Sequence, residues 1–248
     1  MAQRLDQALV ERGLCESREK ARRAIMAGQV RHNGQPGRKP SDTVRPGDEV
    51  ILLAGEKFVS RGGHKLEHAL AHFAVNPAGW TAIDLGASTG GFTDCLLQHG
   101  VARVFAVDVG SGQLAWKLRN DPRVVVMEKT NARELTPDRF PPPFTPADLV
   151  VIDCSFISLR KILPPAIDLL RSSGKMLALI KPQFEAGKAE ADRGAGVITD
   201  PAIHARVLQE LEEFVGQQAE LRWRGVTASP LLGPAGNREF LVLIEKNS

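Results

Sequence analysis

Cysteine is scarce, with Cys15, Cys95 and Cys154 far apart in a chain of 248 residues. That spacing excludes a disulfide framework and supplies no paired ligands for a zinc site, so no metal is expected. No apolar run approaches the roughly 18 residues that a membrane-spanning helix needs. The opening residues, Met1-Ala2-Gln3-Arg4-Leu5-Asp6, lack the apolar core of a secretory signal. The expected location is the cytoplasm, with no membrane partner. Neither sign of charge dominates, since 32 Lys and Arg stand against 29 Asp and Glu. The imbalance lies at one end. Residues 1–65 carry 13 basic side chains against 8 acidic, and the rest 19 against 21. A polyanion is therefore expected to meet the N-terminal part. The length suits one large domain, or an ordinary domain beside a small one.

What is present is organised around Ala82-Ile83-Asp84-Leu85-Gly86-Ala87-Ser88-Thr89-Gly90-Gly91-Phe92-Thr93. An apolar strand ends in an acid, a glycine-rich turn follows, and a helix is expected over Asp94 to His99. The spacing is G-x-x-x-G-G, unlike the G-x-G-x-x-G of dinucleotide sites. It suits S-adenosylmethionine (SAM), which has no phosphate to cradle. Gly86 and Gly90 would let backbone approach the ligand without a Cβ. Ser88, Thr89, Gly91 and Phe92 complete the turn, and Asp84 can hold the ligand's ammonium directly or through water. About twenty residues on, the strand Val104-Phe105-Ala106-Val107 ends in Asp108, placed to accept the ribose hydroxyls of an adenosine. Alone, the turn could be only a tight turn and Asp108 only a cap. Together they point to a methyltransferase.

Further strands are expected at Val124 to Met127, Asp148 to Asp153 and Met176 to Ile180, with a helix over Leu159 to Leu170. Asn131, or its backbone, is placed to meet the adenine. Strand carboxyl ends share one crevice in such a sheet, so Asp84, Asp108, Asp153 and Lys181 should all face it. Residues 186–199 are polar and glycine-rich, and read as a mobile loop over that crevice. A helix over Pro201 to Gln217 and strands near Leu221 to Thr227 and Glu239 to Glu245 complete the chain. The last pair would set an antiparallel strand into a mostly parallel sheet.

At the N-terminus, Leu5, Leu9 and Val10 recur at helical spacing, and Ser17 can cap a second helix, Arg18 to Ala27. Asn33-Gly34 and Pro46-Gly47 mark turns between short strands. Arg4, Arg18, Lys20, Arg22, Arg23 and Arg31 are candidate RNA contacts, with Arg61 further on. This stretch resembles the ribosomal-protein-S4-like RNA-binding fold, through Arg4-Leu5-Asp6, Ser17-Arg18-Glu19-Lys20-Ala21, Ile25, Gly28-Gln29-Val30, Asn33-Gly34 and Pro46-Gly47-Asp48. The resemblance implies a small α+β module that grips structured RNA through phosphate and shape.

Methylation of a ribose hydroxyl needs a base, because that hydroxyl is a very weak acid. A lysine serves only when partly neutral, which burial or a second cation favours. Lys181 beside Lys65 supplies that cation, Asp153 can orient an ammonium, and Glu239 can pair the other lysine. Lys65, Asp153, Lys181 and Glu239 match the Lys-Asp-Lys-Glu set of the FtsJ/RrmJ-like ribose 2′-O-methyltransferases, which the chain resembles. Val59 to Leu66, Asp153 to Leu159, Lys181 to Glu185 and Gly236 to Leu241 are similar to the TlyA (haemolysin A) subfamily.

The resemblance implies a Rossmann-like α/β domain, a seven-stranded and mostly parallel sheet with one antiparallel strand. It also implies SAM as cofactor, ribosomal RNA or ribosomal subunits as partner, cytidine 2′-O-methylation and Lys181 as base. The expected organisation is an RNA-binding domain over 1–55, a linker over 56–65 and the methyltransferase over 66–248. Two alternatives stay open: a pyrimidine C5-methyltransferase using Cys154 as nucleophile, and a non-enzymatic RNA-binding assembly factor.

Overall fold

The computed structural model describes residues 2–53, 55–187, 190, 192 and 194–248, which fall into two units, Met1–Lys57 and Phe58–Ser248. In the first, β1 (Gln3–Arg4) leads into α1 (Leu5–Glu11) and α2 (Arg18–Met26). The Ser17 hydroxyl accepts from the Lys20 N–H and caps α2. Next come β2 (Val30–His32), β3 (Gln35–Pro36), β4 (Thr43–Val44) and β5 (Val50–Leu52). β2 lies between β3 and β5, and β1 pairs with β4. Asn33 and Gly34 both have positive φ, which turns β2 tightly into β3. Leu5, Ala8 and Leu9 of α1 meet Ala21, Ala24 and Ile25 of α2 over Val30, Val44 and Val50. The helical period of 3.6 sets these residues on facing stripes.

The second unit begins with α3 (Gly62–His72), β6 (Thr81–Leu85), α4 (Gly91–Gln98), β7 (Arg103–Val107), α5 (Trp116–Arg119) and β8 (Val124–Met127). It continues through β9 (Ala147–Ile152), α6 (Leu163–Asp168), β10 (Leu170–Ile180), α7 (Pro182–Glu185), α8 (Pro201–Gly216), β11 (Leu221–Ala228) and β12 (Phe240–Lys246). The seven strands form one sheet in the order β11-β12-β10-β9-β6-β7-β8. β12 runs antiparallel to both its neighbours, and the other pairings in this sheet are parallel. The expected mostly parallel sheet with one antiparallel strand is what forms.

Both faces of the sheet are covered, which explains why its strands read as nearly unbroken apolar runs. Ile83, Phe105, Val150, Ala178 and Val242 point to one face and pack with α6 and α8. Their neighbours Ala82, Val104, Val151, Leu177 and Leu243 point to the other, toward Leu66, Ala69 and Leu70 of α3 and Leu96 of α4. Each fully buried Leu or Ile contributes about 1.5–3 kcal/mol of transfer free energy.

Several element boundaries differ from expectation. A Gly-Gly pair ordinarily marks a loop, yet α3 begins at Gly62 and contains Lys65. These glycines mark close packing rather than a break. A Cβ on Gly63 would lie 2.2 Å from Cγ of Phe58, and one on Gly91 would lie 2.9 Å from the Gly63 nitrogen. The expected helix over Leu159 to Leu170 is shorter: a 3₁₀ turn, Leu159–Lys161, precedes α6, and Leu170 already belongs to β10. Pro164 and Pro165 lack the N–H of a helix interior and are tolerated only in a first turn, so α6 starts beside them.

Candidate active site

Parallel strands bring their carboxyl ends to one edge of the sheet, and β12 starts at that edge because it runs the other way. Ile180 of β10 lies opposite Phe240 of β12. Lys181 and Glu239, each one residue beyond its strand, are therefore brought to the same end as Asp153, which follows β9. Lys65 comes from the first turn of α3. All four line one cavity of about 310 Å³, together with Ser60, Arg61, Gly86, Ser88, Thr89, Gly91, Phe92 and Ser155.

The four form two ion pairs. Nζ of Lys65 donates to Oε2 of Glu239 at 2.5 Å. Nζ of Lys181 lies 2.6 Å from Oδ1 of Asp153 and donates to Oγ of Ser155 at 2.8 Å. Lys65, Lys181 and Glu239 are buried, with 7%, 8% and 1% of their surface exposed. Buried charges of this kind persist only when paired and hydrogen-bonded. Ser155 was not singled out from sequence. Its signal was position alone, a small polar residue two places beyond the acid that ends β9.

A second cavity of about 520 Å³ adjoins the first, sharing Gly86, Ser88, Asp153 and Ser155, and adds Asp108, Asn131, Cys154, Phe156 and Ile157. Asp108 accepts from the Ser88 N–H at 2.8 Å and the Gly110 N–H at 2.7 Å, so it ties the glycine turn to the end of β7. Each carboxylate oxygen keeps a further lone pair for a ligand hydroxyl. Asn131 caps a 3₁₀ turn through the Arg133 N–H and donates to Glu134, while its carbonyl accepts from the Glu134 N–H. Phe156 is 90% exposed at a backbone φ of 63°, with its ring 5.1 Å from that of Phe184.

Gly90 and Asp84 differ from Gly86 in what they touch. Gly90 does not line either cavity. A Cβ there would lie 2.3 Å from Leu118 and 2.7 Å from Leu114, so its φ of 97° serves the packing of α5 against the turn. Gly86 does reach the cavities, and a Cβ on it would lie 2.8 Å from the Asp153 carbonyl oxygen. Asp84 is fully buried beneath the turn. Its Oδ2 accepts from the N–H and the hydroxyl of Thr93 at 2.9 and 2.7 Å, which caps α4, while Oδ1 has no hydrogen-bond partner. Asp84 therefore lines neither cavity. Burial pushes the Asp84 carboxyl up to about 7, opposed by the Thr93 hydroxyl and aided by the charge of Asp153.

Burial, with Asp153 next, likewise raises the Cys154 thiol to about 12, and its Sγ donates to the Leu85 carbonyl. Surroundings that keep the thiol protonated disfavour the thiolate a nucleophile needs. The described part of the expected mobile loop is tied down. Asn237 accepts from the Ile198 N–H at 2.9 Å and donates to the Gly196 carbonyl at 2.8 Å. Lys188, Ala189, Ala191 and Arg193 lie outside the described residues.

The RNA candidates separate into groups. Arg4, Arg18 and Arg22 all bond to Asp6. Lys20 pairs with Glu16 and Arg23 with Glu19, both at helical i,i+4 spacing on an exposed face. Arg31 lies in β2, and Arg61 lines the cavity of the two ion pairs.

Known proteins place this geometry. A family model described as FtsJ-like methyltransferase matches residues 58–246, and one described as S4 domain matches residues 3–50. The 16S/23S rRNA (cytidine-2′-O)-methyltransferase TlyA of Mycobacterium tuberculosis (strain ATCC 25618 / H37Rv) is 47% identical, over 96% of this chain and 88% of its own length. A Bacillus subtilis (strain 168) protein, provisionally named rRNA methyltransferase YqxC, is 48% identical over 97% of this chain and 84% of its own. A solved structure from Streptococcus thermophilus, provisionally named a hemolysin, superposes with a TM-score of 0.74 at 43% identity, covering 100% of this chain and 89% of its own.

Proposed function

The chain belongs to the FtsJ-like methyltransferase family, and we propose that it methylates the ribose 2′-oxygen of a cytidine in ribosomal RNA. The observation that carries this reading is the pair of ion pairs, Lys65 with Glu239 and Lys181 with Asp153, lining one cavity beside the glycine turn. SAM is the cofactor and supplies a methyl group on a sulfonium cation. The residues present fit it. Asp108 offers acceptors to ribose hydroxyls, the second cavity adjoins the ion pairs, and Asp84 keeps one carboxylate oxygen unpartnered beneath the glycine turn.

Lys181 is the base. Its Nζ must shed a proton before it can take that of the 2′-hydroxyl, and Asp153 and Ser155 are the groups within reach to receive and orient it. Lys65 is held by Glu239 as a fixed cation where the ribose oxygen gains negative charge. Phe156, exposed at the mouth of the second cavity, offers a face on which an unstacked base can lie. Residues 1–55 are assigned the grip on RNA, and 66–248 the transfer, with 56–65 joining them. The name of the Mycobacterium tuberculosis relative supports acceptors in both ribosomal subunits. Against C5-methylation stands the protonated Cys154, and against a non-enzymatic assembly factor stands the assembly of all four polar groups at one cavity.

The test is transfer of labelled methyl from SAM to isolated small subunits, large subunits and protein-free rRNA, followed by nucleoside analysis. The expected product is 2′-O-methylcytidine, and the accepting particle identifies the substrate. Recovery of 5-methylcytidine would move the chemistry to Cys154, and no incorporation anywhere would overturn the enzymatic reading.

A further inference from the structure

Arg4, Arg18 and Arg22 are not spread along a helix face. Arg18 and Arg22 lie one turn apart on α2, Arg4 immediately precedes α1, and all three converge on Asp6. Arg4 donates through Nε at 3.0 Å and Nη2 at 3.3 Å, one to each carboxylate oxygen. Arg18 Nη2 and Arg22 Nε each donate to Oδ2 at 3.2 Å. The Asp6 side chain has no exposed surface, whereas the three arginines keep 41%, 51% and 57% of theirs.

Pinning α1 to α2 requires a single arginine. Three leave an excess of positive charge facing solvent, and each guanidinium has five N–H donors, most of them not used by Asp6. Burial alone would raise the Asp6 carboxyl, but hydrogen bonds from Arg4 and Arg18 hold it at about 2, so it stays ionised. Lys20 and Arg23 show the contrast, because each pairs with an exposed glutamate and has no buried anchor.

We propose that Asp6 is a positioning residue for RNA, a buried carboxylate that fixes Arg4, Arg18 and Arg22 as a preformed cradle for backbone phosphates. The inference rests on the RNA-binding reading above. Asp6 touches no RNA. Its effect is that three long side chains lose their conformational freedom on folding rather than on binding, and their forks are presented together.

The experiment is Asp6→Asn in the full chain, with affinity for protein-free rRNA measured across a salt series. The substitution removes a negative charge, so a diffuse attraction would tighten binding. A preformed cradle weakens instead: affinity is expected to fall on the order of tenfold, with a shallower dependence on salt as phosphate contacts are lost. Thermal unfolding followed by circular dichroism reports whether the variant is folded. Should it not fold, Arg18→Lys with Arg22→Lys keeps the charge and removes the planar forks, and the same weakening is expected. Equal or tighter binding by a folded variant overturns the inference while the wild type still binds. Failure of the wild type to bind rRNA at all removes the RNA reading itself, and this inference with it.

Discussion

Both units set basic side chains against carboxylates, with opposite balance. Around Asp6 one carboxylate faces three guanidiniums that remain half in solvent. At the cavity of the second unit, two carboxylates face two lysines, and both lysines are buried. Matched, buried charges cancel at a distance and leave each ammonium fixed in place as a chemical reagent. Unmatched charges around a buried anchor leave an outward field, which falls off over a Debye length of about 8 Å at physiological salt and suits a polyanion. Burial of the cation separates chemistry from grip.

The comparison can be broken most sharply at Lys181. Lys181→Ala should lower methyl transfer by about 10²–10⁴-fold, as expected for loss of a general base. SAM affinity, followed by calorimetry, should stay within about twofold because only the transfer step uses that proton acceptor. Turnover close to wild type would remove Lys181 from the chemistry. Next in size is Glu239→Gln, which leaves the Lys65 ammonium buried without a counter-charge. Removing one partner of a buried pair costs about 3–5 kcal/mol, so the denaturant midpoint of this variant should fall steeply. An unchanged midpoint would mean that Lys65 reaches solvent and that the two units differ less than their geometry says.

The smallest effect is expected at low pH. The Asp6 carboxyl lies at about 2 in the folded chain against 3.8 as its ordinary value. A lowered acid contributes stability that is fully present above pH 3.8 and is lost as pH falls through about 2. Acid titration of the wild type should therefore show a loss across that window that Asp6→Asn lacks. Parallel titration curves would show that the guanidiniums do not hold the carboxylate.

Sequence carried the outline of both units because their signals are local. The alternation of buried faces, the glycine turn and the acids at strand ends are each written within a few neighbouring residues. Asp153 and Lys181 were legible as strand ends, whereas Lys65 and Glu239 were legible only through family resemblance, since no spacing rule joins positions so far apart. What local pattern concealed was the partner of each group. Gly90 reads as a ligand-facing glycine, yet its constraint is Leu118, 28 residues on and invisible in the turn itself. Arg18 and Arg22 read as separate RNA candidates because the residue that gathers them, Asp6, lies on another helix. Asp84 looked like a ligand contact because a carboxylate at a strand end can turn either outward or under the following helix, and Thr93 decides for the second.

The reversed direction of β12 has a consequence in time. Glu239 is separated from Lys65 by 174 positions and is the last of the four charged cavity groups to be synthesised. Until β12 is made, the edge of β10 from Lys175 to Ile180 has no partner on that side, and Lys65 has no counter-charge. A chain emerging from the ribosome, at about 5–20 residues per second, thus carries its glycine turn well before it carries a complete site. Closing the sheet and arming the lysine pair are one event.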